Sequence, residues 1–372
     1  MEFAELTTLR TGGSAPPLLE AMSEAELVEA ITSADARGEG VLVIGRGSHL
    51  VVSESGWDGL LIRDARQDIS EVDSFVACGG STMRATAGTD WDTFVQSTLD
   101  NDLAGLEMLS GIPGTVGAAP VQNLGAYGQE VAQTIAQVRA LDRESGLIRT
   151  LSRFDMHFGY RTSIISRSMD STAPGEGHSW GPTGRWVVLE VTFQLRSASL
   201  SEPIRYQSLA DRLGVELGTR VPAREVREQI LKIRRETGML WDPEDSATWS
   251  VGSYFRNPIV SDDFASKLPG DLPRFPVRNQ AMFVSGSVNK QAPQVQGKTK
   301  LSAAWMIEAA GFHPGFKVRD SSGAALSDRY VLAITNQGEA TAAEVHELAS
   351  AVRDKVRTRF GVTLDFTPVT VA

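Results

Sequence analysis

Between Ser23 and Ala36 apolar residues fall at Leu27, Ala30, Ile31 and Ala34, the spacing of one helical face, and Ser23 with Glu26 three residues on supplies a capping box. A short β-type run, Val41-Leu42-Val43-Ile44, leads into Gly45-Arg46-Gly47-Ser48-His49-Leu50-Val51-Val52. Gly56, Asp58 and Gly59 then mark a turn before Leu60-Leu61-Ile62. The start of the chain is therefore a β/α unit in which a glycine loop joins two strands. Strand-like stretches alternate with turns from Leu141 to Leu195, and the Gly-, Pro- and Ser-rich segment Thr172 to Gly184 reads as an exposed loop. The pattern predicts a helix over Pro222 to Arg235, through Val226, Ile230 and Ile233, with a basic end at Lys232, Arg234 and Arg235. A new domain begins near Ser201. Lys300 to Gly311 reads as an amphipathic helix ended by glycine. Tyr330 to Thr335 is a buried-type strand, Ala340 to Phe360 an amphipathic helix with Thr341 near its start, and Gly361 to Val371 another strand, together a terminal β-α-β element. No internal repeat is found, and the class is α+β or mixed α/β.

At 372 residues the chain is long enough for two or three domains of roughly 150 residues each. Hydrophobic residues make up 41% and charged residues 22%, which excludes a disordered chain or a coiled coil. Against 36 Lys and Arg stand 46 Asp and Glu, and the net charge of −10 has the wrong sign for a nucleic-acid partner. Cys78 is alone and cannot close an internal disulfide; with five scattered His it builds no metal cluster. The first residues, MEFAELTTLR, lack the basic and apolar regions of a secretion signal, and no window reaches the 18 or so apolar residues of a membrane span. These features point to the cytoplasm.

A second glycine cluster runs Ser110-Gly111-Ile112-Pro113-Gly114-Thr115-Val116-Gly117-Ala118-Ala119-Pro120 and on through Val121-Gln122-Asn123-Leu124-Gly125-Ala126-Tyr127-Gly128. Such dense small residues leave the main chain bare, so a large flat ligand can approach it. A tight crossover packed on its own neighbours accounts for the same spacing. Neither cluster is a GxxxxGK phosphate loop or a GxGxxG dinucleotide fingerprint. In Phe158-Gly159-Tyr160-Arg161-Thr162-Ser163 a guanidinium fork could take a carboxylate bidentately, or lie on a solvated strand end. Gly252-Ser253-Tyr254-Phe255-Arg256-Asn257-Pro258 presents one serine in a glycine-aromatic turn, or simply a capped bend; no GxSxG elbow surrounds it.

Taken in order, these stretches resemble the UDP-N-acetylenolpyruvoylglucosamine reductase (MurB) family, flavoenzymes of peptidoglycan precursor synthesis. The resemblance runs from TLRTGG at Thr8 through GRGSHLVVSESGWDGLLI, LAGLEMLSGIPGTVGAAPVQNLGAYGQEV, FGYRTS and GSYFRNP to KLSAAWMIEAAGF and the last strand. It implies an α+β FAD-binding fold of the vanillyl-alcohol oxidase type: FAD-binding subdomains at 1–75 and 76–200, a substrate-binding domain at 201–320, and a C-terminal element at 321–372 closing the site. FAD is the implied cofactor and NADPH the implied electron donor. Gly45, Arg46, Gly47, Ser48, His49 and Leu50, with Ser110, Gly111, Ile112, Pro113, Gly114 and Thr115, would meet the FAD pyrophosphate and ribityl through backbone N–H groups. Ala118, Ala119, Gln122, Asn123, Gly125, Ala126, Tyr127 and Gly128 would lie against the adenosine and isoalloxazine. By the same resemblance Arg161 would pair with the substrate carboxylate, Ser253 would protonate the α-carbon, and Tyr160, Tyr206 and Asn257 would meet the nucleotide sugar.

Three departures fall in the site. Thr367 stands where the family carries a glutamate, and a hydroxyl cannot act as a general acid at useful pKa. Asp365, two residues away on the same strand face, would be displaced by about 7 Å. Thr237 replaces the lysine before Gly238-Met239 that meets the substrate's diphosphate, a loss of about 1.5–3 kcal/mol for which Arg235 and Arg256 are the candidates to compensate. Arg46 and His49 alter the usual flavin loop, and the segment from Ser166 to Gly184 is longer than in ordinary members. Two readings follow: the ordinary reductase acting on a nucleotide-sugar substrate, or a diverged flavoenzyme that keeps FAD and reduces another unsaturated acid, for example in secondary metabolism. A flavin-binding module without redox turnover is a third, remoter one.

Overall fold

The computed structural model describes residues 1–76, 80–169, 180–279 and 292–372. Cys78, residues 172–179 of the expected loop, and the 170–179 part of the lengthened segment lie outside them. The first layer is a parallel sheet in which Leu60–Asp64 runs between Leu18–Ala21 and Val41–Val43. Helix Glu24–Ala36 begins at the expected capping box, Ser23 accepting from the Glu26 amide, and buries Leu27, Ile31 and Ala34 against Val41 and Ile62. Sequence periodicity and packing agree here because one face alone is apolar.

The second layer is antiparallel, with Ile135–Asp142 between Leu147–Ser152 and Trp186–Ser197, and Gly80–Thr86 and Ile69–Val76 beyond. Helix Trp91–Asp100 lies on it, capped by Asp90, and its Phe94 ring meets Phe193 at 4.9 Å between centroids. The helices Gln207–Leu213 and Ala223–Glu236 share a small core of Ile204, Leu209, Val226 and Ile230 with Met108, which ties them to the start of the second glycine run.

A large apolar cluster joins residues 251–364, including Tyr254, Leu301, Ile307, Leu326, Val345 and Val352. Leu9 and Val51 belong to the same cluster, so the N-terminal segment is built into it. Asn336 Nδ2 donates to the carbonyls of Leu9 and Arg10, Thr8 Oγ1 donates to Ser250 O at 2.8 Å, and Trp241 Nε1 donates to Thr8 O. Thr8 N donates in turn to Gly47 O, so the N-terminal segment links the glycine loop after Ile44 to the chain leading into Ser253.

The C-terminal segments differ from the expected β-α-β element. Helix Ala342–Phe360 is present and Thr341 caps it, but the strand before it is only Ile334–Asn336. That strand pairs antiparallel with Ala324–Leu326. After the helix only Val369–Val371 is a strand, pairing in parallel with Leu50–Val52 at the other end of the chain. The two strands thus serve different sheets, which local periodicity does not reveal. The helix expected from Lys300 is Ala303–Ala309; Lys300 and Leu301 end the strand Gln294–Leu301 instead, because Ser302 caps the helix.

Candidate active site

Two glycine loops face each other across a narrow gap. A Cβ on Gly45 would stand 2.9 Å from Thr115 Oγ1, and one on Gly114 only 3.6 Å from Ser48 Oγ. At Gly47 the backbone is left-handed, φ +62°, and a Cβ would fall 2.1 Å from Leu6 O. Among the described residues, none accepts from the amides of Arg46, Gly47, Ser48, His49, Gly114 or Thr115. Six bare N–H groups on two touching loops suit an anion such as a pyrophosphate. The loops are braced from outside: Asp92 Oδ1 accepts from the Gly111 amide at 2.6 Å, Arg227 pairs with Asp92, and Arg234 Nε donates to Gly111 O. Burial alone would raise the Asp92 carboxyl; the Arg227 guanidinium and the Gly111 amide outweigh it and hold the group below its ordinary value.

Not every glycine here answers to a ligand. Added Cβ atoms at Gly111, Gly117 and Gly125 would meet Leu231, Ala87 and Glu130 at 2.7, 2.5 and 2.8 Å, so close packing within the chain by itself requires glycine at these positions. The side chain of Ser110 turns inward to Glu107 O, and Ala119 is buried. Asn123 is spent on the fold: its amide donates to Glu130 Oε2 and Gly159 O, and its oxygen accepts from Ala132 N. The side chains of Ser110 and Asn123 are thus engaged within the fold, and what these positions present to a ligand is main chain. Arg46 pairs with Asp90 at 2.8 Å, and His49 Nδ1 lies 3.1 Å from Val251 O. Desolvation pulls the His49 imidazole below its usual value despite the neighbouring carbonyls of Val251 and Thr367. Gln122 Nε2 donates to Thr367 O, so the second glycine run is stitched to the Ser253 side.

On that far side, cations converge around Tyr160. Lys300 Nζ stands 4.6 Å from the Tyr160 ring centroid and Arg161 5.8 Å from it. Arg161 has a left-handed φ of 55° and donates through Nη2 to Gly125 O at 2.5 Å. Burial lowers the Lys300 and Arg256 groups and raises the Glu130 carboxyl, each against opposite charges nearby. Arg256 Nε is buried with no partner among the described residues. A buried guanidinium N–H without a partner, with Arg161 and Tyr160 nearby, suits an anionic ligand. Sequence reasoning read Lys300 as part of a helix and therefore missed it; the polar residue just ahead of the Ser302 cap was the available signal.

Ser253 sits in the bend after Gly252, its Oγ 3.1 Å from Tyr330 OH. Thr367 does not reach that hydroxyl; Thr367 Oγ1 donates to Ser253 O at 2.5 Å and is a backbone clamp. Asp365 is exposed; its carbonyl accepts from the Arg256 amide, and its carboxylate acts on the Arg256 guanidinium electrostatically. The Thr237 hydroxyl closes the end of its own helix on Ile233 O, and Arg235 is exposed. Asn257 Oδ1 caps Ala303 N, which leaves its amide N–H groups for a ligand. Tyr206 stands edge-on to Tyr127 at 5.7 Å.

Residues 16–152 match the FAD binding domain family and residues 242–371 the C-terminal domain of UDP-N-acetylenolpyruvoylglucosamine reductase. The chain is 43% identical to the UDP-N-acetylenolpyruvoylglucosamine reductase of Saccharopolyspora erythraea, over 99% of this chain and 94% of that one. It belongs to the UDP-N-acetylenolpyruvoylglucosamine reductase family. The reductase of Cutibacterium acnes is 41% identical over 97% of this chain and 87% of its own. The solved reductase from Thermus caldophilus shares the fold, with a TM-score of 0.60 at 22% identity, covering 100% of this chain and 98% of that one. The chain is an FAD-dependent oxidoreductase of α+β class.

Proposed function

We propose that the chain reduces UDP-N-acetylglucosamine enolpyruvate to UDP-N-acetylmuramate with electrons from NADPH, as a step of peptidoglycan precursor synthesis in the cytoplasm. The observation that carries the reading is the unpartnered Arg256 Nε near Arg161 and Tyr160, with Lys300 over the same Tyr160 ring, in the sequence stretch that also carries Ser253. The backbone amides of residues 46–49, 114 and 115 hold the FAD pyrophosphate, within subdomains 1–75 and 76–200. Residues 201–320 bind the substrate, and the 321–372 segment belongs with them because it shares their apolar cluster.

Bound FAD supplies hydride to the substrate's β-carbon. Charge then develops at the α-carbon and its carboxylate, where Arg161 stabilises it electrostatically with Lys300 beside it. Ser253 delivers the proton: its O–H breaks as the α-carbon gains C–H. A hydroxyl is a weak acid, and it serves here because the carbanion-like centre is far more basic and is held against it. Arg256, Asn257, Tyr206 and Tyr160 orient the nucleotide sugar.

A second reading, a diverged flavoenzyme acting on another unsaturated acid, is favoured by the absence of a carboxyl at Thr367 and by the turned-in hydroxyl of Thr237. Purified yellow protein mixed with NADPH and UDP-N-acetylglucosamine enolpyruvate separates the two. NADPH oxidation that depends on the substrate supports the reductase. Flavin that NADPH reduces and this substrate does not reoxidise overturns it in favour of the second reading, and flavin that NADPH cannot reduce overturns the donor assignment.

A further inference from the structure

We propose that Tyr330 is a positioning residue that holds the Ser253 hydroxyl for proton delivery and returns a proton to it after each turnover. This inference rests on the reductase reading. With Thr367 committed to the Ser253 carbonyl, no carboxyl stands at that position, and the hydrogen-bond partner that Ser253 Oγ has is the Tyr330 phenol at 3.1 Å.

Both members of the pair are fixed by their own main chains. The Ser253 carbonyl is held by Thr367 Oγ1, and the next residue's amide, Tyr254 N, donates to Leu332 O. Tyr330 N donates to Ser327 Oγ, Tyr330 O accepts from the Ala333 amide, and neighbouring Arg329 pairs with Asp245 at 3.0 Å. Leu332 lies in the same turn as Tyr330, so the bond from Tyr254 fixes the distance between hydroxyl and phenol. The Tyr330 phenol faces the cleft, within electrostatic reach of Tyr127, Tyr160, Tyr206 and Arg234, and it is half-buried, which leaves it a route to water.

The proton count closes. Ser253 Oγ–H gives its proton to the substrate α-carbon and becomes an alkoxide. A phenol is a much stronger acid than an aliphatic alcohol, so the Tyr330 O–H proton passes to Ser253 Oγ. The phenolate then takes a proton from water. No electrons move in these steps, and the oxidation states of both side chains are unchanged.

The test uses the FAD-loaded enzyme with Tyr330→Phe and Tyr330→His, following flavin reduction by NADPH and reoxidation by UDP-N-acetylglucosamine enolpyruvate as separate rapid reactions. Flavin reduction serves as the internal reference. The reoxidation-to-reduction ratio is expected to fall about 100-fold in Tyr330→Phe, the lower end of a general acid–base contribution, and to recover largely in Tyr330→His. The solvent deuterium effect on reoxidation grows in the Phe variant, while the substrate's Kd on the oxidised enzyme, read from the flavin spectrum, holds. A Phe variant that keeps the wild-type ratio, or outperforms His, makes Tyr330 a space-filling ring and overturns the inference. So does a Kd that rises in step with the rate loss. Wild-type enzyme that the substrate does not reoxidise brings down the reductase reading and this inference together, whereas the other failures remove Tyr330 alone.

Discussion

The hydroxyl of Thr367 donates to the main-chain carbonyl of Ser253, 114 positions away in sequence, at 2.5 Å. The last segment of the chain thereby sets the position of the turn that carries the proposed proton donor. In the proposed reaction Thr367 holds the turn in place through this bond.

Thr367→Val leaves the Ser253 carbonyl without that donor and should cost about 1–3 kcal/mol in denaturant unfolding, with slower reoxidation of reduced flavin. Conversely, Thr367→Glu combined with Thr237→Lys restores both groups that the family carries, and turnover with UDP-N-acetylglucosamine enolpyruvate should rise. No gain in the double variant would show that the two threonines are not what limits this enzyme.

Gly47→Ala is expected to yield a less stable, poorly coloured protein. Its Cβ would fall 2.1 Å from Leu6 O at a φ of +62°, and left-handed strain alone costs roughly 1–3 kcal/mol. Thermal melting and the flavin absorbance per mole of protein check this; full loading at the wild-type melting temperature refutes the cradle geometry.

Lys300→Met keeps the aliphatic stem against Tyr160 and removes the charge. Losing one charged contact to the substrate, about 1.5–3 kcal/mol, should weaken its binding roughly 10- to 100-fold in a flavin-spectral titration. An unchanged Kd would place the substrate's anionic groups elsewhere.

Asp92 gives a pH dependence with a definite sign. Its folded-state value is depressed below the unfolded one, so the stability it contributes is present above the ordinary carboxylate range and is lost as pH falls through the depressed value. The anchor on the Gly111 amide is lost with it. Acid unfolding curves of Asp92→Asn should be flatter over that window than wild type, with roughly 1–3 kcal/mol less stability at neutral pH; parallel curves would contradict the assignment.

The α+β class, the helix with its Ser23–Glu26 capping box, the helices ending at Glu236 and Phe360, and both glycine loops were legible in the sequence, because each is set by short-range spacing, capping or main-chain accessibility. The family motifs also brought Arg161, Ser253 and Asn257 into view. Tertiary structure alone decided the rest. Lys300 belongs to a strand end facing Tyr160, Tyr330 to a turn facing Ser253, and Val369–Val371 to a sheet begun by Leu50–Val52. Only the tertiary structure brings Leu231, Ala87 and Glu130 against Gly111, Gly117 and Gly125. These are contacts between residues tens to hundreds of positions apart, and local periodicity carries no information about which distant chain will arrive opposite a given side chain.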